Sequence, residues 1–252
     1  VVAPRSEWPL RASGPVRFRL VDGGVRDLWL DVQSPAGAVQ ARGDWLPDER
    51  GETDLHLTVD QLDLAKVADV IIRYSPPSEE PSPVEGLTGL ASLTLDLRDQ
   101  GEDFDVGLDV SLSRVSLPGV VQEISVDAAV LGPLRHPLID ARVSGRRSLL
   151  VALGGHVPLD ADLTGAALDC ARAVDLDLLI APGALGRFGM TFPGLEMPEG
   201  VASAEVAVRG PACDPDIEAL AAVSMPVGEG GERARLDLHL EREGDKLILR
   251  GA

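Results

Sequence analysis

The sequence predicts an all-β fold: one long, curled, mostly antiparallel sheet with an open apolar groove and one or two short helices. Three observations predict it. Apolar and polar residues alternate with period two, as in Asp103-Phe104-Asp105-Val106-Gly107-Leu108-Asp109-Val110-Ser111-Leu112, and such alternation puts every second side chain on one face of a strand. The runs are bounded by turn formers, drawn from 27 glycines and 19 prolines in 252 residues. The apolar residues are mostly Leu, Val and Ala, with aromatics at only 3%, so the dry face lacks the rings that usually fill a sandwich core.

Alternation recurs along the chain at 16–20, 28–32, 55–59, 93–97, 104–112, 124–130, 139–143, 174–180, 204–208, 217–223, 236–240 and 247–249. That makes roughly a dozen strands of about 5–8 residues each. Two segments leave the pattern. Leu64, Val67, Ala68 and Ile71 sit at i, i+3, i+4 and i+7, which predicts an amphipathic helix from Asp63 to about Tyr74. It stops before the proline-rich stretch 75–83. Pro182 to Gly189 predicts a helical turn or a short helix, with Pro182 in the first turn. Hairpins are expected at Gly101-Glu102-Asp103 and Glu243-Gly244-Asp245.

The pattern also repeats. Gly132-Pro133-Leu134-Arg135-His136-Pro137-Leu138-Ile139 and Gly210-Pro211-Ala212-Cys213-Asp214-Pro215-Asp216-Ile217 share G-P-x3-P-x-I at a spacing of 78 residues. Glu85-Gly86 and Glu199-Gly200 form a second pair, each leading into an Ala-Ser strand. Residues 1–252 therefore read as one continuous repetitive segment, in which units stack on their neighbours. The truncated amphipathic run at 247–252 predicts an internal fragment of a longer chain.

Composition excludes several functions. The formal charge is −18, from 23 basic and 41 acidic residues, and nucleic acid needs the opposite sign. No Asn is present, so there is no N-glycosylation acceptor. No run of 18 apolar residues offers a membrane span. Cys170 and Cys213, 43 residues apart, fit no zinc spacing; they read as isolated small hydrophobes, with a disulfide as the alternative. His56, His136, His156 and His239 fall in no catalytic motif, and no nucleophile elbow or P-loop occurs. Asp103-x-Asp105 lacks the Gly and Glu that complete a calcium loop. Neither an enzyme nor a cofactor is expected.

The E-G-x3-L-A-S-L-x-L units (85–97), the G-P-x3-P-x-I-[D/E]-A turns and the L-D-L-A helix (62–65) resemble the TamB/AsmA-like proteins of the Gram-negative envelope. The resemblance implies a half-open β-taco in the periplasm, anchored in the inner membrane by parts outside this segment. Its groove would pass phospholipid acyl chains toward the outer membrane, and the full-length protein would partner an outer-membrane barrel of TamA/BamA type. The groove-lining candidates are the alternating sets Leu93/Leu95/Leu97, Phe104/Val106/Leu108/Val110, Ile124/Val126/Val130, Val174/Leu176/Leu178, Val206/Val208 and Leu236/Leu238/Leu240. The competing readings are a structural or adhesive β-solenoid and a chaperone-like guide for outer-membrane or autotransporter proteins.

Overall fold

The computed structural model describes residues 11–21, 23–46, 53–74, 82–99, 103–145, 148–162, 165–186, 191, 199–227, 232–243 and 246–251. The strands are β1 (Arg11–Ala12), β2 (Arg17–Val21), β3 (Gly24–Ser34), β4 (Gly37–Trp45) and β5 (Asp54–Asp63). A helix, α1 (Leu64–Tyr74), leads into β6 (Thr88–Asp99), β7 (Phe104–Leu117), β8 (Val121–Pro133), β9 (Leu138–Gly145) and β10 (Ser148–His156). Then follow β11 (Leu159–Asp162), β12 (Gly165–Leu168), β13 (Ala173–Ala184), β14 (Val201–Pro211), β15 (Asp216–Val227), β16 (Glu232–Glu243) and β17 (Lys246–Gly251).

Fifteen strands form one antiparallel sheet in nearly sequential order, β3 to β10 and then β13 to β17, with β1 and β2 both on the outer edge of β3. The sheet curls without closing. The β11–β12 hairpin stands apart as a two-stranded sheet, so β10 pairs directly with β13. Strands about 4.8 Å apart make the sheet on the order of 60 Å long. Every pairing among the described residues is antiparallel, which removes a parallel solenoid.

A line of irregularities supplies bending. On four consecutive strands Gln61 (φ 46°), Gly89 (φ 130°), Arg114 (φ 51°) and Glu123 (φ 49°) take the left-handed conformation, at neighbouring ends of β5 to β8. The register shifts at each of these places. Bulges bend a strand and strengthen its twist. Three of the displaced N–H groups are recovered by serine hydroxyls: Gln61 donates to Ser92 Oγ (3.1 Å), Arg114 to Ser125 Oγ (3.3 Å) and Glu123 to Ser116 Oγ (2.8 Å).

The helix is placed as its periodicity predicts. Asp63 caps it by accepting from the backbone N–H of Ala65 (3.1 Å) and Lys66 (3.4 Å). Lys66 Nζ reaches back to the Pro35 carbonyl (2.6 Å), and Ala68 is buried against the β5–β6 side. The second helical segment is borne out in part: β13 continues through Pro182 to Ala184, Leu185 and Gly186 are helical, and 187–190 lie outside the described residues. The turn residues expected at 101–102 and 244–245 also lie outside them, but the strands they would join are antiparallel neighbours.

The two G-P-x3-P turns are equivalent in three dimensions. Gly132 (φ 94°) and Gly210 (φ 97°) share a left-handed backbone. The His136 and Asp214 N–H groups donate to the Pro133 and Pro211 carbonyls, both at 2.9 Å. Leu134 and Ala212 donate to the carbonyls of Phe104 (2.7 Å) and Arg172 (2.9 Å), each beside the start of the preceding strand. Together the turns hold the β11–β12 hairpin. Leu159 N–H donates to Arg135 of the first turn (2.8 Å). The other foot is fixed to the second turn by a disulfide between Cys170 and Cys213. The cysteines are therefore paired, not isolated. Carrying the β13–β14 ladder past its last pair, Ala173 with Pro211, brings the two together, with Cα atoms 4.8 Å apart.

Candidate functional site

Directly opposed residues of an antiparallel ladder share a face, so the register can be followed across the whole sheet. One row runs Val32, Val39, Val59, Leu93, Val110, Ala128, Ala141, Leu153, Leu178, Val206, Ala219, Leu240, Leu249. No polar residue interrupts it. A second row beside it runs from Leu30 and Ala41 through Leu57, Leu95, Leu108, Val130, Ile139, Gly155, Leu176 and Val208 to Ile217. A third, on the other side, runs from Leu62 through Ala91, Leu112, Val126, Val143, Val151, Ile180, Ala204 and Ala221 to Leu238. Rows two residues apart make an apolar band about 14 Å wide.

Twelve of the eighteen candidates lie in these rows. Leu95, Leu108, Val130, Leu176 and Val208 share one; Leu93, Val110, Leu178, Val206 and Leu240 share the next; Val126 and Leu238 lie in the third. The other six border the band on the same face. Leu97 opposes Val106, Phe104 begins the same strand, Ile124 opposes Val115, Val174 opposes Gly210 and Leu236 opposes Val223. Of the eighteen, Leu97 and Val174 are buried, Leu236 is exposed and the rest are half-buried. That distribution is neither a sealed core nor a solvated surface. The buried apolar residues, from Ala36 and Leu46 to Leu185 and Ala212, are scattered along the length of the sheet.

Sequence reasoning missed the alanines of the band, Ala41, Ala91, Ala128, Ala141, Ala204, Ala219 and Ala221, the band strands β4 and β10, and the short β1, β11 and β12. Alanine is a poor strand former, and the bulge between Leu149 and Val151 breaks the alternation that would have marked β10.

The opposite face is polar and holds the histidines. Asp31, Gln40, Thr58, Thr94, Asp109, Ala129, Asp140, Gly154 and Asp177 oppose one another in a row. Arg209 bridges Asp175 (2.9 Å) and Asp177 (2.7 Å). Asp237 holds the Arg235 guanidinium more firmly protonated, first through their side-chain hydrogen bonds and then through its charge. His56 Nδ1 lies 2.7 Å from Asp96 Oδ1, and Thr58 Oγ1 lies 3.0 Å from His56 Nε2. This is the order of a nucleophile relay. The backbone N–H groups of β5 beside it are engaged in the ladders of β4–β5 and β5–β6, so β5 offers no free backbone donor pair for a developing oxyanion. His136 and His156 stack at 4.9 Å, and no group of three metal ligands occurs among the described residues. Two shallow hollows of about 460 and 470 Å³ also lie on this face; their walls mix Ser203, Asp237 and His239 with Leu220 and Ala222 in one, and Ser111, Asp127 and Asp140 with Ala129, Leu131 and Leu138 in the other, and are more apolar than polar.

Compared with models of protein families, with curated proteins and with solved structures, the chain matches none.

Proposed function

We propose that the apolar band is a conduit for phospholipid acyl chains, and that the chain is a section of a TamB/AsmA-like envelope protein linking the inner and outer membranes. The observation that carries this reading is the uninterrupted row from Val32 to Leu249, half-exposed along most of its length. Exposing one acyl methylene to water costs about 0.8 kcal/mol, so a 16-carbon chain pays on the order of 12 kcal/mol in an aqueous gap. A continuous aliphatic track removes most of that barrier. It needs directionless contact rather than hydrogen-bond readout, which suits a band of Leu, Val, Ile and Ala. Headgroups would travel in water at the open side. The exposed Cys170–Cys213 disulfide supports an oxidising compartment such as the periplasm.

The test is lipid extraction and mass spectrometry on the chain purified without detergent, beside an acidic β-sandwich of similar size. Phospholipid at a reproducible ratio well above the control is the expected result. A lipid-free protein whose band amides all resist hydrogen exchange would sink the reading.

A further inference from the structure

Charge is distributed unevenly along this acidic chain. Residues 1–26 carry five arginines against two acids, whereas the remaining 226 carry 18 basic against 39 acidic. All three tryptophans, Trp8, Trp29 and Trp45, fall in the first 45 residues. The structure gathers much of this at one edge. Arg17 and Arg42 flank Trp29 from the two neighbouring strands. Arg19 stands directly opposite Arg26 and is bridged to Asp27 at 3.0 Å. In β2, Phe18, 56% exposed, stands between Arg17 and Arg19, and Leu20, 72% exposed, follows Arg19; Trp29 is 49% exposed. Leu20 opposes Val25, and Val25 opposes Trp45, so Leu20, and Phe18 two residues before it, continue the apolar face onto β2.

Charge alone would be ordinary protection for an edge strand. Charge joined to large exposed apolar side chains is the chemistry of a membrane interface, where aromatic rings settle at headgroup depth and arginines meet anionic lipid. The far edge lacks the aromatic part: β17 carries no aromatic residue.

We propose that the β2–β3 edge docks, edge-on, against a bilayer surface containing anionic phospholipid. The arginines lie at phosphate level on the outer side, and Phe18 and Leu20 enter the acyl boundary on the apolar side. Docking stands on the chemistry of this edge; its purpose, delivering acyl chains to the band beside it, rests on the conduit reading.

The experiment is co-sedimentation of the whole chain with vesicles of phosphatidylglycerol and phosphatidylcholine, against phosphatidylcholine alone, with tryptophan emission as a second readout. Binding to the anionic vesicles, a blue-shifted emission and loss of both at high salt are expected. At about fivefold per arginine, Arg17→Gln with Arg19→Gln should weaken binding roughly 25-fold. Phe18→Ser with Leu20→Ser should remove the blue shift. Equal binding to both vesicle types, or an unaffected arginine variant of unchanged circular dichroism, would overturn the proposal. So would a concentration-dependent dimer, abolished by Phe18→Ser with Leu20→Ser, in a protein that ignores vesicles. Leu178→Asp, far from this edge, should keep vesicle binding, so a failed conduit and a failed dock are distinguishable.

Discussion

The two faces of the sheet share every strand and differ in what interrupts them. On the apolar face a row crosses thirteen strands without a polar residue. On the outer face Asp31, Thr58, Asp109 and Asp177 alternate with Gln40, Ala129 and Gly154, and Leu131 stands 44% exposed opposite Leu138. The outer face tolerates apolar intrusions, as protein surfaces do; the apolar face admits no polar ones along its central row. An asymmetry of this kind is a constraint on one face only, and it is the reason to place function there.

The largest expected effect loosens both faces together. The disulfide closes a loop of about 43 residues, and Cys170→Ser with Cys213→Ser should cost about 3–4 kcal/mol in chemical denaturation. A loss below about 1 kcal/mol would mean the hairpin and its two turns hold without it. Next comes a pair of adjacent glycines. Gly155 lies in the apolar rows at φ 136°, and a Cβ there would sit 1.9 Å from the Asp175 carbonyl oxygen. Gly154 lies on the outer face, where a Cβ would meet only the Ile139 carbonyl at 3.9 Å. Gly155→Ala should cost about 3 kcal/mol, whereas Gly154→Ala should stay within about 0.5 kcal/mol of the parent. Equal losses at both would mean that close strand approach does not set the difference.

Neighbouring side chains sharpen the contrast further. Leu178→Asp should lower copurified lipid about tenfold, the loss of roughly two methylene contacts, while leaving a folded chain, since a half-buried carboxylate can reach water. If it unfolds the protein, the apolar face is a closed core. The reciprocal Asp177→Leu should leave lipid unchanged and shift stability by less than about 1 kcal/mol, because Arg209 keeps Asp175.

Much of this fold was legible because alternation is a backbone-level signal. The β7 alternation, the helix at Leu64–Tyr74 and the twin turns all appear where periodicity and punctuation put them. What escaped has physical causes. β4 reads Gly-Ala-Val-Gln-Ala-Arg-Gly-Asp-Trp; its small residues supply little strand preference and take their conformation from β3 and β5. The Cys170–Cys213 bond depends on a register, and register is a property of two strands rather than of either sequence. Strand lengths of up to 14 residues exceeded the expectation because the bulges at Arg114 and Glu123 shift the pattern without ending the strand. The arginine–tryptophan edge escaped too, because only pairing placed Trp29 between Arg17 and Arg42.

The sequential order of the sheet also bears on how such a chain is made. From β3 onward nearly every strand finds its partner in the segment synthesised just before it, so loop closure is short and the sheet can grow as a zipper. Only β13 must reach past a hairpin to β10, and the two proline turns hold that hairpin aside. Length then becomes a matter of counting: each further hairpin adds about 10 Å of track and presents a new edge for the next, without requiring any earlier strand to be rearranged.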